Sequence, residues 1–286
     1  MTVLTHLVEV GPSIWVAQSR RFHTNSTVLL GDDGTALVVD PSWDADELAA
    51  IPADLAAVGA RCTAGLATHV HYDHVLWHPD LGTPPRHASR WTAWAVVERR
   101  ERVLQPLVDD ISEELIAIAG LLVAVPGGRA PDEVPDAATP RPVTTLPEPY
   151  ALPWPGREVL LHEHDAHAPA HVAVEVVDRA LMLAGDMLSD VELPMPDDTT
   201  PDLVAYLVGL DRLAEVAGRC TMLVPGHGSP TTDPMARVDA DRRYLDDLLT
   251  LGDSDDPRRG LEGMAELHAE NVRRAATQRE SPTLSR

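Results

Sequence analysis

Thr68-His69-Val70-His71-Tyr72-Asp73-His74 is the stretch that decides how this chain is read. Three imidazoles and a carboxylate fall within six residues, directly after a short apolar segment, residues 62–68, that reads as a β-strand. In an extended loop His69 and His71 project to one side, and a turn after them brings Asp73 and His74 towards a neighbouring point. Imidazole nitrogens and carboxylate oxygens are the donors that zinc accepts, three protein ligands and a water being usual at a catalytic site. One segment therefore suffices to start two metal sites. With 13 histidines in 286 residues, the spacing His-x-His-x-Asp-His arises by chance on the order of once in several hundred chains.

Working outward, three short motifs downstream each place a metal donor in a turn: His167-Ala168-Pro169-Ala170, Leu183-Ala184-Gly185-Asp186 and Val224-Pro225-Gly226-His227-Gly228. Singly, each is an ordinary turn. His164, His167 and His171 lie close together, so the residues alone leave the choice among them open.

Taken in order, these motifs resemble the metallo-β-lactamase superfamily, over about residues 6–235. The resemblance implies an α+β fold, a four-layer αβ/βα sandwich with metals at one edge of two sheets. It selects His167, because Ala168-Pro169 and the 19 residues to Asp186 both fit (186 − 167 = 19). Ala166 and Ala170 stand where the family usually has glycine. It further implies that His69, His71 and His167 hold one ion, that Asp73, His74 and His227 hold the other, and that Asp186 bridges them. Two divalent ions are expected, zinc by donor type, although iron or manganese accept the same donors. A bridging hydroxide would attack an electrophilic carbonyl, with Asp73 orienting or relaying its proton. Asp186 at the bridging position resembles the glyoxalase II, lactonase and thioesterase-like branches and not the true β-lactamases, so a small ester, thioester or lactone is the expected substrate. The glyoxalase II branch meets its glutathione thioester partly with Lys, and every one of the 23 basic residues here is Arg. The alternative of the same fold is a mononuclear iron, persulfide dioxygenase-like enzyme; retention of Asp73, His74 and His227 favours hydrolysis.

The rest of the chain is consistent with one domain spanning 1–286. Strands are expected over 6–10, 13–18, 26–30 and 36–40, a helix over 44–58, and a helical, then Pro-rich insertion over about 88–155. Strands over 158–161, 172–177, 180–184 and 221–224 follow, with helices over 201–217 and, at the C-terminal end, about 235–277. The formal net charge of −22 repels phosphate backbones and anionic headgroups, so neither nucleic acid nor membrane is an expected partner. No stretch reaches the roughly 20 apolar residues that cross a bilayer, and residues 1–10 lack a basic segment followed by an apolar run; a cytoplasmic location is expected. Cys62 and Cys220 are expected as reduced core thiols. Trp77 and His78, just after the first motif, are candidate substrate-binding residues, His78 also as proton donor to the leaving group, and Trp91 and Trp94 as pocket-lining aromatics. Arg99, Arg100 and Arg102, interleaved with Glu98 and Glu101, read as a solvated, ion-paired helix face.

Overall fold

The structure is a computed structural model and describes residues 4, 6–41, 43–134, 146–197 and 203–279. Alternating apolar side chains build the first sheet from β1 (Val8–Gly11), β2 (Ile14–Gln18), β3 (Asn25–Leu30) and β4 (Thr35–Val39), a meander of antiparallel neighbours. Helix α1 (Ala45–Ala57) then returns the chain so that β5 (Arg61–Leu66) lies parallel to β4. Two short strands, β6 (Arg86–Ala88) and, after α2 (Arg90–Glu98), α3 (Arg100–Leu104) and α4 (Glu113–Ile118), β7 (Val123–Ala124), extend the parallel edge to seven strands. The second sheet runs β8 (Tyr150–Ala151), β9 (Val159–His164), β10 (His171–Val176) and β11 (Leu181–Leu183), all antiparallel. After α5 (Leu203–Ala217), β12 (Met222–Val224) joins it parallel to β11, and α6 (Pro234–Thr250) and α7 (Met264–Arg279) finish the described chain.

The period-two alternation of the strands assigns the layers. Leu29, Leu37 and Val39 point inward to meet Leu161, Val172, Val174 and Leu183 of the facing sheet, while Val28, Ala36 and Val38 point outward onto Ile51 and Leu55 of α1. On the far side Ala173 and Met182 pack against Tyr206, Leu210 and Leu213 of α5 and Tyr244, Leu245 and Leu248 of α6. Helices thus cover both outer faces of two mixed sheets, the α+β four-layer sandwich that was expected. The expected insertion is partly sheet: β6 leads into it, β7 completes the first sheet and β8 the second. These strands are two or three residues long, too short to show a period. Residues 135–145 of the expected Pro-rich excursion lie outside the described residues. Both cysteines are free, Cys220 buried and Cys62 half-buried. No described helix is long and apolar enough to cross a membrane.

The topology puts one set of strand ends together. β4 and β5 are parallel, so Asp40 and His69 leave the first sheet at the same edge. β11 and β12 are parallel, and β10 runs antiparallel to β11, so Asp186, His227 and the β9–β10 turn carrying His167 share one edge of the second sheet. The Asn25 amide donates to Gly226 O at 2.7 Å and Val172 N to Thr68 O at 3.0 Å, which joins the two edges.

Candidate metal centre

At this joined edge the ligand atoms of His69, His71, His167 and Asp186 lie within 4.8 Å of one another, and those of Asp73, His74 and His227 likewise. In the first group His71 Nδ1 is 3.0 Å from both His69 Nε2 and His167 Nε2. Asp186 Oδ2 lies 3.4 Å from His69 Nε2 and 3.5 Å from His167 Nε2. In the second, Asp73 Oδ2 is 3.4 Å from His74 Nε2 and 3.5 Å from His227 Nε2. Asp186 touches both groups, Oδ1 being 3.1 Å from His74 Nε2 and Oδ2 3.3 Å from His227 Nε2. Around a zinc ion with bonds near 2.0–2.1 Å, tetrahedral ligand atoms stand about 3.3 Å apart. The donors are spaced as the ligands of a metal ion would be.

Tautomers provide an independent test of fit, because each imidazole has its outward nitrogen against an acceptor. His167 Nδ1 donates to Met195 O at 2.6 Å and His227 Nδ1 to Phe22 O at 2.9 Å. His71 Nε2 faces Asp197 Oδ2 at 3.3 Å, and His74 Nδ1 faces Asp40 Oδ2 at 3.0 Å. Thr68 Oγ1 donates to Asp40 Oδ2 at 2.7 Å, so its lone pair accepts the Nδ1 hydrogen of His69 at 3.0 Å. The five inward nitrogens therefore converge on one another and on carboxylates, an arrangement that a cation satisfies. His74 Nε2 and Asp186 Oδ1, both buried, have no hydrogen-bond partner among the described residues. The residues fit a pair of metal ions.

Electrostatics separates the two groups. Burial holds His69 well below the ordinary imidazole value and pushes His167 down to about 4, so their nitrogens are neutral donors at physiological pH. Burial acts the same way on His74 and His227 but is outweighed by Asp186 and Asp73, with His74 held well above its ordinary value and His227 raised to about 10. The protons there balance the buried carboxylates, a task that a metal ion would take over. Burial also pushes Glu192, 3.7 Å from His227 Nδ1, up to about 7.

Backbone geometry explains the turn residues. A Cβ at Gly226 would overlap Asp186 Oδ1 and press on the Gly185 backbone, and Gly185 itself has φ +54° with no room for a side chain beside His171. Ala170, at a position where glycine was the usual residue, keeps a left-handed φ of +50°, and its amide donates to Asp165 Oδ1 at 2.8 Å. Asp165 is in turn gripped by both terminal nitrogens of buried Arg129 at 2.6 and 2.7 Å, while Arg129 Nε donates to Glu163. This clamp fixes the turn that carries His167.

Of the three neighbouring histidines, His167 is the one whose Nε2 joins the ligand group. His164 and His171 are fully buried behind it; the His171 ring stacks on His69 at 4.8 Å, and its Nε2 accepts from the Asp186 amide at 3.3 Å. Trp77 and His78 require correction as substrate-binding residues. After His74 the chain turns back over the outer face of the first sheet, where buried Trp77 lies 2.6 Å from the Cβ position of Gly65 and donates to Gly82 O at 3.0 Å. His78 Nδ1 accepts from Asp80 N at 3.2 Å and caps a short turn. Neither side chain joins the ligand groups. The supporting roles of Asp40, Thr68 and Asp197 are not marked in the sequence; only the Asp closing the apolar run Ala36-Leu37-Val38-Val39-Asp40 gives a signal, since it leaves the sheet beside the histidine motif.

The family model of the metallo-beta-lactamase superfamily matches residues 20–234. This chain belongs to the metallo-beta-lactamase superfamily. Among solved structures, it is similar to a metallo-beta-lactamase family protein from Thermus thermophilus, with 18% identity, a TM-score of 0.61, and 94% of this chain and 95% of that one covered. It is also similar to a metallo-beta-lactamase from Pontibacter korlensis, at 13% identity and a TM-score of 0.56, covering 82% and 95%. A third, the sec-alkylsulfatase Pisa1 from Pseudomonas sp., shares 14% identity at a TM-score of 0.62, with 96% of this chain but 50% of that one covered. At these identities the likeness is one of fold. No curated protein matches the chain.

Proposed function

We propose that this chain is a binuclear metal-dependent hydrolase of a small ester, thioester or lactone. Members of the metallo-beta-lactamase superfamily are mostly metal-dependent hydrolases, and the observation that carries the finer reading is the pair of adjacent donor groups sharing Asp186. His69, His71 and His167 would hold one ion, Asp73, His74 and His227 the other, with Asp186 between them; zinc suits these donors. Bound there, divalent ions would polarise the electrophile and bring the pKa of water towards neutrality.

The chain's own residues do the remaining work. Asp40, through Thr68 and directly, keeps the Nε2 lone pairs of His69 and His74 turned inward. Asp73 is kept ionised by His74 and His227 against its burial, and a carboxylate in that state is suited to orient an attacking water by accepting a hydrogen bond from it. Asp186 is held ionised in the same way. The second donor group also weighs against the mononuclear iron alternative, which has no use for Asp73, His74 and His227 together.

The test is turnover of a panel of aryl esters, thioesters and lactones by zinc-loaded protein, with His71→Ala alongside. Hydrolysis that falls at least a hundredfold in the variant is expected. No turnover by the parent, or equal turnover by the variant, would overturn the assignment.

A further inference from the structure

A cavity of about 410 Å³ opens beside His71 and Asp197, within the size range of small-molecule sites. His71 both lines it and holds its Nδ1 among the donors of the first ligand group, so the cavity adjoins the metal centre. Its walls are apolar: Val70, Trp91 and Ala95 are buried, and Tyr72 and Val103 half-buried. Trp91, Ala95 and Val103 come from α2 and α3, so the helical part of the insertion builds a wall that the two sheets do not supply. Of the two aromatics expected to line a pocket, Trp91 does so and Trp94 does not. The charged groups of the lining give it no single sign. The Arg99 guanidinium lies 5.5 Å from the ring centre of Trp91 and 5.2 Å from that of Trp94, packed against the wall itself. Arg102 and Pro106 are exposed and mark the open side. Asp197, which faces His71 Nε2 at 3.3 Å, brings a negative charge to the same cavity.

Resting on the hydrolase reading above, the geometry points to a substrate that carries an uncharged apolar group, an alkyl chain or an aromatic ring, seated against Trp91, Ala95 and Val103 while the scissile carbonyl sits at the ligand groups. An ion pushed into this space would give up hydration to walls that cannot replace it. An apolar group instead gains about fourfold in affinity for each methylene it buries, so the cavity selects for length and against charge. Trp91, Ala95 and Val103 are specificity-determining residues in this assignment, outside the machinery that activates water.

Ligand-observed NMR titration of the zinc-loaded protein with butanamide, hexanamide and octanamide, a neutral series, tests the assignment without needing turnover. Binding should tighten by about fivefold or more with each two-carbon step, complete burial of two methylenes being worth about fifteenfold. In Val103→Trp, which fills the cavity from a half-buried position, the gain should fall below about twofold per step. Should that variant lose the parent's circular dichroism or metal content, Pro106→Trp, on the exposed side of the cavity, is read in its place with the same expectation. Equal binding of the three amides by the parent would overturn the inference, and so would a gain that survives in the folded variant, since the chains would then be binding elsewhere. A gain that is lost on filling the cavity, in a protein without esterase or thioesterase turnover, would leave this pocket standing and remove the hydrolase reading. Ester turnover with no length dependence of amide binding would do the reverse.

Discussion

Replacing Asp40 by asparagine should weaken both metal sites at once, although Asp40 belongs to neither ligand group. Its Oδ1 accepts from Thr68 N at 2.8 Å, and its Oδ2 accepts the Thr68 hydroxyl at 2.7 Å and stands 3.0 Å from His74 Nδ1. Asparagine is nearly the same size and tolerates the left-handed φ of +48° at this position, so backbone strain does not confuse the outcome. It can keep the bond from Thr68 N, but it presents a donating NH2 where Oδ2 was. The Thr68 hydroxyl, now receiving a hydrogen, turns its own towards His69 Nδ1, which favours the tautomer with a hydrogen on Nε2, facing the metal. His74 Nδ1 loses the negative charge 3.0 Å from it in a fully buried setting. Loss of an outer partner of this kind costs about 10–100-fold in metal affinity, or about 1.4–2.7 kcal/mol per site. Competition of zinc-loaded parent and variant against a chromophoric chelator, fitted to two sites, measures both affinities. Two affinities within twofold of the parent would refute the tautomer argument; loss at one site alone would leave only half of it standing.

Three further outcomes follow from particular contacts. Arg129→Met leaves Glu163 and Asp165 buried without their partner, which costs about 3–5 kcal/mol; calorimetry should show a melting temperature lower by on the order of 10 °C, and a fall under about 2 °C would contradict the clamp. Gly226→Ala forces Asp186 away from its place between the two groups, so metal content should drop at both sites while far-ultraviolet circular dichroism stays near that of the parent; full metal content would show that the turn yields. Glu175 is held below the usual carboxylate range, first by its hydrogen bonds from Arg219 and then, against the opposing effect of burial, by His162. A depressed folded pKa gives stability that is complete above the unfolded value and lost as pH falls through the folded one. The difference in melting temperature between parent and Arg219→Gln should therefore shrink from pH 6 towards about pH 3, and a constant or widening gap would contradict this.

What could be read from the sequence had one physical character: donors in short contiguous turns at strand ends. His69 to His74, Gly185-Asp186 and Pro225-Gly226-His227 each need only a strand before them and a tight turn after, and both leave marks on the chain. The layer order came only through the family resemblance, because β3, β4 and β10 are buried on both faces and carry no alternation of apolar and polar residues that would tell one face from the other. Roles that depend on side chains meeting across the sandwich left no local mark. Asp40 acts through a residue 28 positions away, and the carbonyl that fixes His227 belongs to Phe22, in a turn where Phe22 and His23 both take φ +53°. Trp77 follows the histidine motif in sequence yet lies on the other face of the first sheet, because proximity along the chain does not say which way a turn closes. Arg99, Arg100 and Arg102 read as a solvated, ion-paired face from their acidic neighbours; Arg102 is exposed, whereas Arg100 reaches back to donate to Ile116 O and Ala119 O, carbonyls that the sequence does not place beside it.

The central claim is that two metal ions sit side by side on this edge, and the most direct measurement is metal content per chain by plasma mass spectrometry, on protein purified without chelator or metal-affinity resin. The parent should carry about two zinc ions and His227→Ala about one, since His227 serves only the second donor group. A single iron per chain, unchanged by the loss of His227, would contradict the binuclear centre and with it the proposed hydrolysis.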